Sequence, residues 1–429
     1  MRLAIIGTGI SGLGAAWLLH RAHDITVYEA DTRIGGHSHT VDIDYDGVRI
    51  PVDTGFIVYN EDNYPNLTAL FAELGIGSEA SDMSFAVSTG GGDIEWGSDS
   101  LNSLFAQRRN LFRPRFISTL LEIQKFNKNA PADLKRGALD NLTLDAYLNQ
   151  QNYSKEFRAN YLFPMGGAIW SMPGAGMAAF PAESFVSFCH NHFLLSTDRP
   201  KWRTVSGGSR EYVNKLIAPF TGRIRTHAPV ISVSPAGDKV AVREAGGREA
   251  LFDHVLIAAH ADQAVRMLVS PDQEERDILG AINYAPNIAY VHRDAALMPR
   301  RRRVWSSWNY VSQERSSPRI SVSYWMNRLQ NIPHATPLFI TLNPEVPPRP
   351  ELTFTAIPYD HVQFNMPCLR AQRRLPLIQG RNNIWYCGAW TGHGFHEDGL
   401  VSGLAIAERI GGVMRPWATA EKNLPKAAE

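Results

Sequence analysis

Six residues near the start of the chain have the spacing of a phosphate cradle. Gly7-Thr8-Gly9-Ile10-Ser11-Gly12 is a GxGxxG run. Gly7 allows a tight turn. The missing Cβ at Gly9 lets an anion reach the main chain, and Gly12 lets a helix pack closely on a strand. The helix N-terminus then offers free N–H groups and partial positive charge to the anion. Glu29 follows at about the 20-residue distance where an acid accepts hydrogen bonds from ribose hydroxyls and repels a 2′-phosphate. A bland Gly-rich turn and a solvated glutamate are the alternatives, and the strand–turn–helix setting weighs against them.

The elements that must position these residues are legible around them. Arg2–Ile6 reads as a buried strand, 12–21 as a helix and Ile25–Glu29 as a second strand, together one βαβ unit. Hairpins are predicted over 40–52, 85–96 and 230–243, with turns at Asp46-Gly47 and Gly90-Gly91-Gly92. Residues 66–74 and 211–218 read as helices, and 101–160 as mostly helix broken near Pro114, Pro131 and Asn141. The stretch 163–181, rich in Pro, Gly, Met and Phe, reads as a loop. Val255–Ala259 reads as a strand followed by a helix near Asp262, and 284–360 as sheet with long connections. Residues 383–387 form a last strand, 400–410 a last helix, and the tail from Trp417 is expected to fray.

Further motifs carry a resemblance. Glu29-Ala30-Asp31-Thr32-Arg33-Ile34-Gly35-Gly36 continues directly from the acid. It resembles the EAxxRxGG run of the flavin-containing amine oxidase and phytoene desaturase superfamily. That likeness implies FAD, with Arg33, Gly35 and Gly36 along its pyrophosphate and ribityl chain, and His37 and His39 close by. Gly388-Ala389-Trp390, then Gly394-Phe395-His396-Glu397-Asp398-Gly399-Leu400, is similar to the superfamily's C-terminal FAD motif. There a helix start faces the flavin ring and favours negative charge on it. Relatives carry an acid where this chain has Ala389, so Glu397 or Asp398 is expected to take the ribityl contact. Val230 and Ala259 correspond to positions beside the adenosine, and Thr54-Gly55-Phe56 to the segment passing the flavin. FAD is expected to be noncovalent, because Cys387 lacks the surroundings of flavin-linked relatives.

A narrower likeness runs through Gly35–Thr40, Trp305–Tyr310, Tyr324–Gln330 and Gly394–Leu400. These segments resemble predicted NAD/FAD-binding proteins that occur in bacteria beside cyclopropane-fatty-acid-synthase-like methyltransferases. The resemblance implies an acyl-chain substrate, methyl-branched chains included, and a lipid methyltransferase as partner.

The substrate segments themselves are apolar and aromatic: Trp170, Met172, Phe185, Phe188, Trp308 and Tyr324 are examples. They suit a long apolar tunnel or an ordinary core. Amine oxidases flank their amine with two rings and carry a lysine near the flavin. Phe395 matches one ring position, no first ring is evident, and residues 284–330 contain no lysine. Phe395, His39 and His396 are the candidate catalytic residues, the histidines as proton relays that titrate near neutral pH. No metal site is expected: His190 and His192 beside Cys189 lack a second pair of ligands. Two basic–aromatic clusters, 108–116 and 300–305, suit an anionic lipid surface, an acidic partner or a solvated face.

Length and composition bound the rest. The chain has 429 residues, 43 Lys+Arg against 42 Asp+Glu, 44 % hydrophobic residues and three Cys. These exclude a disordered chain, a disulfide scaffold and a globally basic nucleic-acid binder. No apolar run is long enough to cross a bilayer. A cytoplasmic protein able to touch the membrane surface is expected. The fold class expected is α/β: a Rossmann-like FAD-binding domain (1–78, 206–265, 381–416), an inserted mixed α+β substrate domain (79–205, 266–380) and a flexible tail (417–429). The activity expected is hydride transfer from an apolar substrate, most simply desaturation or oxidation of a fatty acyl chain. A flavin amine oxidase, a redox-neutral lipid isomerase and a non-catalytic partner of a lipid methyltransferase are the alternatives.

Overall fold

The computed structural model describes residues 1–196, 200–314 and 321–418. Leu3 to Ile6 of the first strand, Arg2–Ile6, are all buried, as an interior parallel strand requires. It is the centre of a five-stranded parallel sheet, in the order Ile224–Arg225, Asp24–Tyr28, Arg2–Ile6, His254–Ile257 and Ile384–Tyr386. The register sets Ile6 beside Tyr28 on one side and Ile257 on the other. All the strand ends that matter for the cradle therefore lie at one edge of the sheet, where ligands bind in open α/β folds.

The helix Ile10–Leu19 is buried along its whole length. It packs on this sheet and on the last helix, His396–Gly411. Glycines make the crossing possible. A Cβ at Gly403 would stand 2.0 Å from the Ser11 carbonyl oxygen, and one at Gly14 would stand 2.6 Å from Leu400 Cδ1.

A seven-stranded mixed sheet forms the other half of the molecule. Its order is Thr353–Gln363, Asn283–His292, Phe339–Leu342, Val322–Trp325, Trp308–Val311, Phe85–Thr89 and Ile94–Gly97. Helices between residues 114 and 191 pack beside it around Phe126, Phe157, Phe180 and Phe185. The architecture is the expected α/β class, a parallel sheet joined to a mixed one. The short strand Trp202–Val205 pairs with Val58–Asn60 and with Ser78–Ala80, which spans the expected boundary between residues 78 and 79.

Four local expectations change. Residues 163–181 are not a loop but two helices, Phe163–Trp170 and Gly174–Ala179. Their glycines serve packing: a Cβ at Gly166 would meet Met177 Cε at 2.5 Å and Phe185 at 2.8 Å. Pro131 does not break its helix, which runs from Pro114 to Lys135. Buried Phe126 and Ala130 and the Tyr147 hydroxyl, donating to Asp133 at 2.8 Å, hold that turn despite the lost backbone bond. The last helix starts at His396, four residues before its apolar stripe, because the Asp398 carboxylate accepts the Phe395 N–H at 2.9 Å. Trp417, expected to fray, stacks on Trp17 and donates to Asn66 Oδ1. The rest of the expected tail, residues 419–429, lies outside the described residues.

Candidate functional site

A cavity of about 1350 Å³ begins at the glycine turn and runs between the two sheets. This exceeds the roughly 300–1,000 Å³ of a pocket for one small ligand. Gly7, Gly9, Ile10 and Ser11 line its start, and a Cβ at Gly9 would have no atom within 4 Å. The bare backbone at Gly9 therefore faces open space, at the N-terminus of a helix with no side-chain cap. That is the geometry an anion needs. Gly36 closes over the turn, its α-carbon side meeting Gly9 Cα. Glu29 and Ala30 line the wall from the end of the second strand. The Glu29 carboxylate accepts the N–H of Thr8 at 3.1 Å, the Thr8 hydroxyl and the N–H of Asp31 at 2.9 Å.

Thr54, Gly55, Phe56, Val230, Ala259, Gly388 and Ala389 line the same cavity. Beyond them lies a layer of aromatic rings and imidazoles. His396 stacks on Phe56 with centroids 3.9 Å apart, and its Nε2 lies 2.9 Å from Ser38 Oγ and 3.1 Å from Tyr212 Oη. Burial pushes its pKa down to about 3, so it is neutral near pH 7. His37 stacks on Tyr359 at 5.0 Å and lies 5.7 Å from His361. Burial lowers both, His361 to about 4. Phe395 stacks directly on Phe188, centroids 4.7 Å apart. Past these rings the wall continues through Met165, Ile169, Trp170, Trp308, Tyr324 and Ile340.

Residues 10–337 match the model of the flavin-containing amine oxidoreductases. The chain belongs to that family. The carotenoid phi-ring synthase of Chlorobaculum tepidum is 32 % identical over 237 residues, 51 % of this chain. This chain spans only 34 % of that protein's length. A variant of putrescine oxidase redesigned for cofactor binding superposes with a TM-score of 0.70 at 16 % identity, covering 96 % of this chain and 99 % of that one. A CLA-producing fatty acid isomerase of P. acnes gives a TM-score of 0.62 at 14 % identity, covering 95 % of this chain and 98 % of that one. At such identities the two structures speak for the fold.

As a member of the family, the protein is an FAD-dependent oxidoreductase. Its residues fit the cofactor. The Gly9 opening and the helix N-terminus would take the pyrophosphate, and Glu29 the ribose hydroxyls. Several expected contacts are placed elsewhere. Gly12 and Gly35 are off the wall; Gly12 sets helix packing, and Gly35 lies against Ser38 O. Arg33 turns from the wall and donates to the carbonyls of Gly36, at 2.7 Å, and Ser38, so it braces the loop that carries His37. Glu397 is not on the wall. Its carboxylate accepts the N–H groups of Asn66 and Leu67, both at 2.9 Å, and so caps the helix Pro65–Leu74. Asp398 caps its own helix, Gly399 packs on Ile10 and Ser11, and Leu400 is core. The expected role of Glu397 or Asp398 at the ribityl chain is thereby corrected, because both carboxylates are held by backbone N–H groups.

His39 is likewise corrected as a relay. It lies off the cavity wall behind Tyr359, whose hydroxyl is 3.1 Å from its Nδ1. His396 and Phe395 do line the cavity. Tyr359 and His361 were missed from sequence. Both sit on the strand Thr353–Gln363, two residues apart and so on one face, a period-2 signal that was available. Cys387 is buried in the core off the wall, and burial raises its thiol pKa.

Proposed function

We propose that this oxidoreductase acts on an apolar chain, with a methyl-branched fatty acyl chain as the leading substrate. One observation carries the reading: the cavity that holds Phe395 is also lined by Met165, Ile169, Trp170, Trp308, Tyr324 and Ile340, together with the charged Asp82, Asp99 and Arg328. Among the described residues no lysine lines it, and the rings of Phe188 and Phe395 touch rather than leaving a slot for an amine. When bound, FAD supplies the two-electron acceptor for a hydride, and loss of a neighbouring proton leaves a carbon–carbon double bond.

The chain's own residues supply placement and proton handling. Phe188, Phe395 and Trp170 exclude water beside the helix start. His396 offers an uncharged edge held by Ser38 and Tyr212. His393 is the candidate proton acceptor on geometry: it lines the cavity, and its Nδ1 lies 3.9 Å from the Asp398 carboxylate, which can orient the ring. The test is anaerobic bleaching of the flavin absorbance by lipids with and without methyl branches, then by amines, with product analysis. Bleaching by branched lipid and a new double bond support the reading. Bleaching by amines alone overturns it in favour of an amine oxidase. Product without net bleaching overturns it in favour of an isomerase.

A further inference from the structure

The surface that carries both basic clusters also carries a run of exposed large apolar side chains, among them the two most exposed of the described residues, Phe112 and Leu101. Phe112 is 86 % exposed, Leu101 75 %, Leu121 61 % and Leu111 46 %. Residues 101–121 and 300–303 hold eight arginines and no acid, in a chain whose formal net charge is +1. The structure brings the two stretches together on one hairpin. Arg109 and Arg113 reach Asp93 on its turn, while Arg301 reaches Glu95 two residues on, at 2.6 Å. Arg115 pairs with Glu156. Among the described residues three carboxylates thus pair with these eight guanidiniums, a surplus of five positive charges. Arg108 binds only Phe105 O and Asn102, and Arg303 has no acidic partner among the described residues.

We propose that this face docks on a membrane of anionic phospholipid. Exposed Phe and Leu side chains ringed by guanidiniums suit that one occupant: the apolar groups enter the acyl boundary while the arginines meet phosphates. An acidic protein would match the charge but leave Phe112 and Leu101 without a stated partner. The cavity supplies the link to chemistry. Trp96, Ser98 and Asp99 of the same hairpin line it, and Asp99 lies two residues before Leu101. The docking face and one end of the cavity are therefore two sides of a single hairpin. Delivery of a substrate by this route rests on the acyl-chain reading; the docking itself does not.

The test is cosedimentation of the full FAD-loaded chain with vesicles, and it needs no turnover. Vesicles of phosphatidylcholine with added phosphatidylglycerol should bind the protein, phosphatidylcholine alone should not, and salt should weaken the binding. The pair Leu101→Asp and Phe112→Asp, both at exposed positions, should lower affinity more than tenfold with flavin content unchanged. The pair Arg108→Gln and Arg303→Gln should lower it about thirtyfold. No binding to the anionic vesicles, or binding indifferent to both pairs, overturns the proposal. Self-association that these variants abolish, without vesicle binding, overturns it in favour of an interface between copies of the chain.

Discussion

At the scale of single residues the glycine turn makes the sharpest prediction. Space for a Cβ exists at Gly9, so Gly9→Asp should fold normally yet place a carboxylate where the pyrophosphate belongs. The expected result is loss of the visible flavin absorbance with an unchanged circular dichroism spectrum; full flavin occupancy would move the phosphates elsewhere. His393→Asn should retain FAD and slow bleaching by substrate by roughly 10²-fold or more, the usual worth of a positioned base. An unchanged rate removes His393 from the chemistry. Phe395→Ala should raise KM for long chains with FAD retained, since it opens the ring stack on Phe188. Among the motif residues, glycines and Glu29 were readable because their roles follow from backbone geometry and charge. Arg33 and Glu397 were not. A guanidinium or carboxylate near a cofactor motif serves a ligand or a backbone equally well, and only the fold shows which carbonyl or N–H is nearest.

At the scale of elements, one helix end depends on a side chain from far along the chain. Tyr64 gives the helix Pro65–Leu74 no side-chain cap, and Glu397 supplies it across 330 residues. Glu397→Ala should therefore lower stability by about 1–2 kcal/mol, read as a fall in the unfolding midpoint, with FAD affinity little changed. A large loss of FAD affinity at unchanged stability would restore the ribityl role. Gly403→Ala should cost roughly 1–3 kcal/mol or more, because its Cβ collides with the Ser11 carbonyl at the helix crossing. Elements marked by the glycine turn or by a hairpin turn were legible from sequence: the first strand as a short apolar run, the first helix after GxGxxG, and the hairpin over 40–52. The helices between 163 and 179 were not, because Gly166 is required there by Met177 and Phe185 of other helices, and composition alone reads such a glycine as a breaker.

At the scale of the whole molecule, burial of imidazoles gives the protein an acid limit. His39, His192, His292 and His361 are lowered to about 4 and His396 to about 3, chiefly by burial. In the unfolded chain they return to about 6.5. Above that pH both states are neutral and nothing is lost. As pH falls from about 6.5 toward 4 the unfolded chain takes up protons that the folded one refuses, so stability drops across that window. Thermal melts at about pH 7.5 and about pH 5 should show the lower midpoint in acid; equal midpoints would mean these histidines are not neutral in the folded protein. The parallel sheet has a different consequence, in the order of events during synthesis. Its edge strand Ile384–Tyr386 and the helix after it, which close the cradle begun at Gly7, are made only after some nine-tenths of the 429 residues. A nascent chain holding the first βαβ unit has half a cradle and must keep it shielded while more than 350 residues emerge. Capture of the cofactor thus waits for this strand and helix, and a chain stalled before residue 384 should leave the ribosome colourless.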